Sequence, residues 1–167
     1  MTAFGVAIAV PEPYGSLLRE RRAAFGDPQA ATVPTHVTLL PPDETDDVQG
    51  VRDRLAEVAA ATRAFEMTLH GTGTFRPVSP VVFVAVGEGA AETTRLAQGL
   101  RTVVGPPPAA FPFHPHVTVA QELDAPALDR ALAELADFSC AFTVREFSLY
   151  LHDPDRGWVA DQSFALA

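Results

Sequence analysis

The sequence has no lysine and only one cysteine, Cys140, among its 167 residues. A single thiol cannot form an internal disulfide, so a disulfide scaffold is excluded and a reducing, cytoplasmic location is expected. The twelve basic residues are therefore all arginines, and with 21 acidic residues they give a formal net charge of -9. This balance argues against an extended nucleic-acid groove and favours a small anionic substrate that is held by a few local donors.

Long apolar runs are also missing. The apolar segment 4–10 is short, has no basic stretch before it, and is followed directly by Pro11 and Glu12. It predicts a first strand rather than a signal peptide or a membrane span. Because 47% of the residues are hydrophobic, the chain can bury one core, and we expect a single domain over 1–167 that acts as a monomer without a membrane partner.

The apolar spacing predicts an order of strands and helices that repeats. In the first half we expect strand 4–10, helix 16–25, strand 34–40 ended by Pro41 and Pro42, a helix capped by Asp46 or Asp47, and strand 65–75. In the second half we expect strand 81–86, a helix closed by Gly105 and the prolines 106–108, a strand from His116, helix 124–136, and strands 142–152 and 158–166. Turn residues and caps set most of these limits.

The two halves also share their spacing. From Phe4 to His36 is 32 residues, and from Val82 to His116 is 34. The sequence therefore predicts an α+β fold made from a duplicated unit, with lobes of approximately 1–78 and 79–167. We expect two sheets rich in antiparallel pairing around a central cleft, with the helices on the outside.

A tetrapeptide occurs once in each half in the same context. His36-Val37-Thr38-Leu39 is matched 80 positions later, from 36 to 116, by His116-Val117-Thr118-Val119. Side chains alternate between the faces of a strand, so the histidine and the threonine share one face while the aliphatic residues occupy the other. Each tetrad is therefore expected to give one face to a site and the other to the core.

Two imidazoles and two hydroxyls suit phosphodiester chemistry. One imidazole can remove a proton from the nucleophile while the other protonates the leaving oxygen, and the hydroxyls can donate to the phosphate oxygens. A single histidine in a strand is more often structural, but the repetition in matching contexts favours an active site. The sequence does not show which imidazole is the base and which the acid.

A metal site is the alternative for the second tetrad. His114 lies two residues before His116, and such a pair on one strand could bind zinc. Zinc needs three or four ligands, however, and no cysteine lies near. We therefore expect no metal and no other cofactor, with His114 as a flanking residue.

The two tetrads, the order of elements around them, and the segments 69–75 and 80–83 resemble the 2H phosphoesterase superfamily, the 2′-5′ RNA ligase and cyclic phosphodiesterase group. The resemblance covers essentially the whole chain. It implies a bilobal α+β fold, metal-independent opening of cyclic phosphodiesters and a role in RNA processing. It places the catalytic histidines at His36 and His116 and the phosphate-binding hydroxyls at Thr38 and Thr118.

The resemblance has one departure. Bacterial members of the group often carry arginine at the position that Gln121 occupies here, and glutamine can donate a hydrogen bond but carries no charge.

The expected activity is opening of a 2′,3′-cyclic phosphate on a nucleotide or a short RNA end. The alternatives are action on a cyclic phosphate derived from ADP-ribose, 2′-5′ ligation of RNA, and nucleotide binding without turnover.

Other residues are weaker candidates for contact with a substrate. Aromatic faces and arginines suit nucleotides, although most aromatic side chains belong to the core. The candidates of this kind are Tyr14, Phe75, Arg76, Phe113 and Trp158.

Overall fold

The computed structural model describes residues 1–105 and 111–167, so the prolines 106–108 that we expected to close a helix lie outside the described residues. The elements follow in the order β1 (Thr2–Ala9), α1 (Tyr14–Ala24), a short 3₁₀ helix (Pro28–Ala31), β2 (His36–Thr45), α2 (Val48–Ala60), β3 (Phe65–Thr74), β4 (Val81–Val86), α3 (Ala90–Val104), β5 (His116–Gln121), α4 (Ala125–Glu134), β6 (Ser139–Val144), β7 (Glu146–Asp153) and β8 (Gly157–Ala165). Within the two described ranges, no helix is both long and apolar enough to cross a membrane.

The strands form two four-stranded sheets, in the orders β2-β1-β7-β8 and β5-β4-β3-β6. All neighbouring strands pair antiparallel. Helices α2 and α3 pack against each other, and α4 packs against strands of the second sheet. The edge strands β2 and β5, which carry the two tetrads, contact each other. The predicted α+β fold with two antiparallel sheets is confirmed, and the sheets meet at the strands that carry the candidate site.

The two sheets do not follow the two predicted halves of the sequence. Strand β3 lies in the first half but pairs with β4 and β6 in the second sheet. Strands β7 and β8 lie in the second half, and β7 pairs with β1 in the first sheet. A boundary near residue 78 would therefore separate β3 from its neighbour β4. An apolar pattern identifies a strand but not its partner, so the exchange was invisible in the spacing.

The segment 142–152, which we predicted as one strand, contains the end of one strand and most of another. Strand β6 ends at Val144 and belongs to the second sheet, whereas β7 begins at Glu146 and belongs to the first. The chain thus passes between the sheets at Arg145. Residues that favour strands continue across this point without a turn signal, so the sequence pattern could not reveal the crossing.

The prediction that Pro41 and Pro42 end their strand was wrong, since β2 continues to Thr45. Strand β2 lies at the edge of its sheet, and its register with β1 shifts around Gly5, opposite the two prolines. Proline has no N–H to donate, and strands tolerate it at sheet edges and at irregularities of this kind.

The helix ends show the expected capping. Asp47, one of the two predicted caps, accepts a hydrogen bond from the backbone N–H of Gly50 at 2.8 Å. Asp124 does the same for Ala127 at 3.0 Å. These bonds satisfy donors that the first turn of a helix leaves unpaired, and so they fix where α2 and α4 begin.

Both tetrads show the predicted alternation of faces. Val37, Leu39, Val117 and Val119 are at most 1% exposed, whereas the histidines and threonines between them are half-buried. The aliphatic residues therefore anchor β2 and β5 in the core. This anchoring leaves the polar face of each strand fixed and available to a ligand.

Candidate active site

The polar faces of the two tetrads meet at a cleft. His36 and Thr38 of β2 and Thr118 of β5 line a cavity of about 280 Å³. His116 lies two residues before Thr118, on the same face of β5. His116 is not itself among the residues that line this cavity, but it interacts electrostatically with His36. The structure therefore places the two tetrads close together where strands β2 and β5 meet.

The two histidine rings are oriented in the same way. Nδ1 of His36 lies 2.6 Å from the carbonyl oxygen of Pro34, and Nδ1 of His116 lies 2.6 Å from that of His114. A carbonyl oxygen can only accept, so each Nδ1 carries the hydrogen and donates it. Each Nε2 is consequently the nitrogen that can exchange a proton with a substrate.

The Nε2 atoms have different neighbours. Nε2 of His36 lies 3.1 Å from the hydroxyl oxygen of Thr38 and accepts its hydrogen bond when the ring is neutral. Within the part of the chain that the structure describes, Nε2 of His116 has no hydrogen-bond partner. The two histidines therefore match in the bond that each Nδ1 makes to a backbone carbonyl, but they differ in the partner of Nε2.

Burial governs the electrostatics of both rings. It is the largest cause that lowers the pKa of His36, opposed by the bond to Pro34 and assisted by the charge of Arg22. Burial is also the largest cause that lowers the pKa of His116, opposed by the bond to the His114 carbonyl and assisted by the charges of His114 and His36. The two imidazoles therefore interact electrostatically, and protonation of one disfavours protonation of the other.

Aromatic rings surround His116. The ring of Phe75 meets it edge-on with 5.0 Å between centroids, and Phe83 lies 5.4 Å away. The ring of His114 is 5.9 Å from it. These apolar faces remove water from one side of the imidazole, which is the desolvation that disfavours its charged form.

A buried ion pair lies beside the tetrads. Nε of Arg22 donates to Asp27 at 2.8 Å, and the two side chains are 6% and 1% exposed. The carboxylate of Asp27 also accepts the backbone N–H groups of Gln29 at 2.9 Å and Gln121 at 3.1 Å. Arg22, Gln29 and Gln121 all line the cleft. A charged side chain is thus fixed at the wall of the cavity.

A profile of the 2′-5′ RNA ligase superfamily matches residues 10–156 of the chain. The chain belongs to the 2′-5′ RNA ligase superfamily. "Putative phosphoesterase BH1439" of Halalkalibacterium halodurans is 31% identical over 134 residues, which cover 79% of this chain and 77% of that protein. A Bacillus anthracis protein with the same phosphoesterase description is 30% identical over 144 residues, 84% of this chain and 83% of its own. The chain is accordingly a phosphoesterase of this superfamily.

Solved structures show the same fold. The protein TT0787 of Thermus thermophilus matches with a TM-score of 0.71 and 23% identity, covering 99% of this chain and 98% of that one. LigT of E. coli, in complex with 3′-AMP, matches with a TM-score of 0.68 and 22% identity over the same shares. These structures confirm the predicted fold, and the family profile and the curated relatives confirm the resemblance to the 2H phosphoesterases.

The structure separates the weaker candidates of this phosphoesterase. Trp158 lines the cleft, and Phe75 packs against His116. Tyr14 and Phe113 pack against the core instead of lining the cleft. Arg76 is also absent from the cleft lining, and its guanidinium pairs with the carboxylate of Asp129 at 2.9 Å.

Side chains that bind metals do not cluster in the part of the chain that the structure describes. Among the described residues, no group of three or more His, Cys, Asp or Glu side chains could hold an ion. The pair His114 and His116 therefore has no third ligand in the described part of the chain. Catalysis without a metal stays a prediction.

Two residues of the cleft, Arg22 and Tyr150, were not among the candidates predicted from the sequence. Helical spacing could have indicated Arg22, because it lies four residues after Leu18 and three before Phe25, both buried. An arginine on an apolar helix face is a signal of a buried polar contact. Tyr150 carried no comparable signal, and burial raises the pKa of its hydroxyl, which therefore remains a donor at neutral pH.

Proposed function

We propose that this superfamily member opens 2′,3′-cyclic phosphates on nucleotides or short RNA ends, with His36 and His116 as the proton-transfer groups. The observation that carries the proposal is the matched presentation of the two imidazoles. Each is held through Nδ1 by a carbonyl two residues earlier, which leaves Nε2 for the reaction. A pure binding module would have no need of two such groups.

The reaction adds water across one P–O bond of the cyclic phosphate. One imidazole takes a proton from the attacking water, and the phosphorus forms a new bond to the water oxygen. The other imidazole donates its proton to the ribose oxygen as that P–O bond breaks. Because the charge of one ring disfavours the charge of the other, the pair is suited to holding a single proton, as this exchange requires.

The hydroxyls of Thr38 and Thr118 are assigned to the phosphate oxygens. Thr38 and Thr118 line the cleft from opposite strands, so they can donate to a phosphate placed between the two sheets. When His36 is neutral, the hydroxyl hydrogen of Thr38 is directed to Nε2 of that ring, so it turns to the phosphate when the substrate binds or when the ring is protonated. A donor held at the developing charge then stabilises the transition state.

The size of the cleft and the charge of the chain support a small substrate. The cavity of about 280 Å³ is slightly smaller than the usual range of ligand pockets, roughly 300–1,000 Å³. LigT has been solved with 3′-AMP, a nucleotide of the size proposed here. Trp158 and Tyr150 offer aromatic surface for the base or the ribose.

We propose that the protein works as a monomer in the cytoplasm, where its buried Cys140 stays reduced.

A substrate panel tests the proposal. It contains 2′,3′-cyclic mononucleotides, oligonucleotides with a cyclic end, and ADP-ribose cyclic phosphate, and chromatography identifies the 2′ and 3′ products. We expect turnover of the cyclic mononucleotides. His36→Ala and His116→Ala should each lower this turnover about 10²–10⁴-fold, whereas His70→Ala, at an exposed strand histidine, should leave it unchanged. Turnover of only the ADP-ribose compound, ligation alone, or binding without turnover would each replace the proposed activity.

A further inference from the structure

The cleft contains one permanently charged cation. Arg22 is the only arginine among the described residues that line it, and the chain has no lysine. The positive charge of the two histidines is not permanent, because imidazoles titrate and burial lowers the pKa of each. A phosphate diester keeps its negative charge at every pH at which imidazoles titrate. Arg22 is therefore placed to supply a positive charge that does not depend on the protonation of the histidines.

The guanidinium of Arg22 keeps donors free on its cleft side. Of its five N–H groups, Nε–H is used by Asp27 at 2.8 Å and one hydrogen of Nη2 points to Oε1 of Gln29 at 3.5 Å. Within the described residues, Nη1 has no hydrogen-bond partner, yet the only fully buried side-chain polar atom there without a partner is Nε of Arg54. Nη1 is therefore not fully buried, and Arg22 is one of the residues that line the cavity.

Asp27 holds the opposite edge of the guanidinium. Its carboxylate accepts Arg22 and two backbone N–H groups, and one of these belongs to Gln121 at the end of β5. Helix α1, which carries Arg22, also packs against β5. The position of the guanidinium is thus tied to the strand that bears Thr118. An arginine fixed in this way can bind an anion without reorganising its side chain.

We propose that Arg22 binds the phosphate group of the substrate through the N–H groups on its cleft side, while Asp27 fixes its orientation. This inference rests on the proposed function and names the cation of that site. The ligand chemistry is a phosphate ester or inorganic phosphate, which an arginine recognises through parallel N–H donors.

The test measures binding rather than turnover. Isothermal titration calorimetry with inorganic phosphate, adenosine 2′-monophosphate and adenosine gives the affinity of each variant at fixed salt. Arg22→Gln is expected to weaken the binding of both phosphate compounds about 10- to 100-fold, the value of a charge-assisted hydrogen bond. The affinity for adenosine should not change. Arg21→Gln is the matched control, because it removes the same charge from an exposed position on α1 that contacts Glu134 at 3.8 Å.

Arg22→Gln leaves Asp27 buried without its cation and can destabilise the fold. The double variant Arg22→Gln with Asp27→Asn removes both charges and is expected to fold and to bind phosphate as weakly as the single variant. Asp27→Asn alone keeps the guanidinium but replaces one of the two oxygens that hold it and the neighbouring N–H groups, so phosphate affinity should fall less than in Arg22→Gln. If the ion pair is purely structural, Arg22→Gln and Asp27→Asn should lose the same amount of phosphate affinity.

Two results would overturn the inference. One is a folded double variant with wild-type affinity for inorganic phosphate, and the other is a loss of phosphate affinity in Asp27→Asn equal to that in Arg22→Gln. If the histidine variants lose turnover while the Arg22 variants bind phosphate normally, the proposed function stands and this inference fails. If no cyclic phosphate is turned over but phosphate binding depends on Arg22, the phosphate site stands and the proposed function fails.

Discussion

Removal of the Thr38 hydroxyl from the cleft is expected to lower kcat. Thr38→Val keeps the β-branched shape of the side chain and removes Oγ1, which lies 3.1 Å from Nε2 of His36 and faces the cavity. Losing one donor to the transition state costs about 10²–10³ in kcat, or about 2.7–4 kcal/mol. KM should change much less, because the donor acts mainly on charge that develops during the reaction.

The stability of the variant should stay close to that of the wild type. Valine fits the half-buried strand position, and the neighbours Val37 and Leu39 keep β2 in the core. Thr118→Val is expected to lose kcat in the same range, and Thr38→Ser, which restores a hydroxyl, should recover much of the loss. Thr143→Val is the control, because β6 lies at the opposite edge of the second sheet from β5.

The assay combines steady-state kinetics on a cyclic mononucleotide with thermal melting of each variant. If Thr38→Val and Thr118→Val are folded and both keep kcat within about threefold of the wild type, the hydroxyls do not bind the transition state. The assignment of the threonines would then be wrong.

Three further predictions concern pH, metals and substrate length. Burial lowers the pKa of His36 and of His116 below 6.5, so the pH profile of kcat/KM should be bell-shaped with its maximum below pH 6.5, where the free pair holds one proton. A profile that still rises from pH 7 to 9 would contradict paired imidazoles. Activity should survive exhaustive chelation, since the four tetrad side chains complete the proposed chemistry, and loss with EDTA followed by rescue with zinc would revive the metal interpretation of His114. A cyclic mononucleotide should be turned over as well as a long RNA, because the net charge of -9 opposes many phosphate contacts, and the opposite result would be a preference for long RNA that falls steeply with salt.

The sequence predicted the placement of the two tetrads on their strands better than the path of the chain around them. Alternation in a strand depends only on the local backbone, so the polar face of His36 and Thr38 followed directly from the tetrad. The partner of a strand depends on contacts distant in sequence, and for that reason the placement of β3 beside β4 was not predicted. The continuation of β2 through Pro41 and Pro42 likewise depends on its edge position, which sequence does not show.

The residues that line the cleft outside the tetrads could not be predicted from the sequence for the same reason. Arg22 reaches the cavity only because α1 packs against β5 and Asp27 holds its side chain. The helical position of Arg22 was available in the sequence, but the bond that ties Asp27 to β5 comes from the backbone N–H of Gln121, 94 residues from Asp27. Tyr150 enters through β7, which crosses to the first sheet. Residues that a site gathers from distant segments need the tertiary structure to be recognised.

The two histidines carry the central claim. His36→Ala and His116→Ala should each lower kcat about 10²–10⁴-fold, the usual contribution of general acid–base catalysis. The melting temperatures should stay near that of the wild type, because Val37 and Val117, not the imidazoles, anchor the two strands in the core. The double variant should lose less than the product of the single losses, since the two groups act as a unit.

The most direct measurement is therefore kcat for a 2′,3′-cyclic mononucleotide, determined for His36→Ala, His116→Ala and the double variant with their folding verified by thermal melting. We predict folded proteins with losses of about 10²–10⁴ in each single variant. Near-normal turnover by either folded single variant would contradict the account.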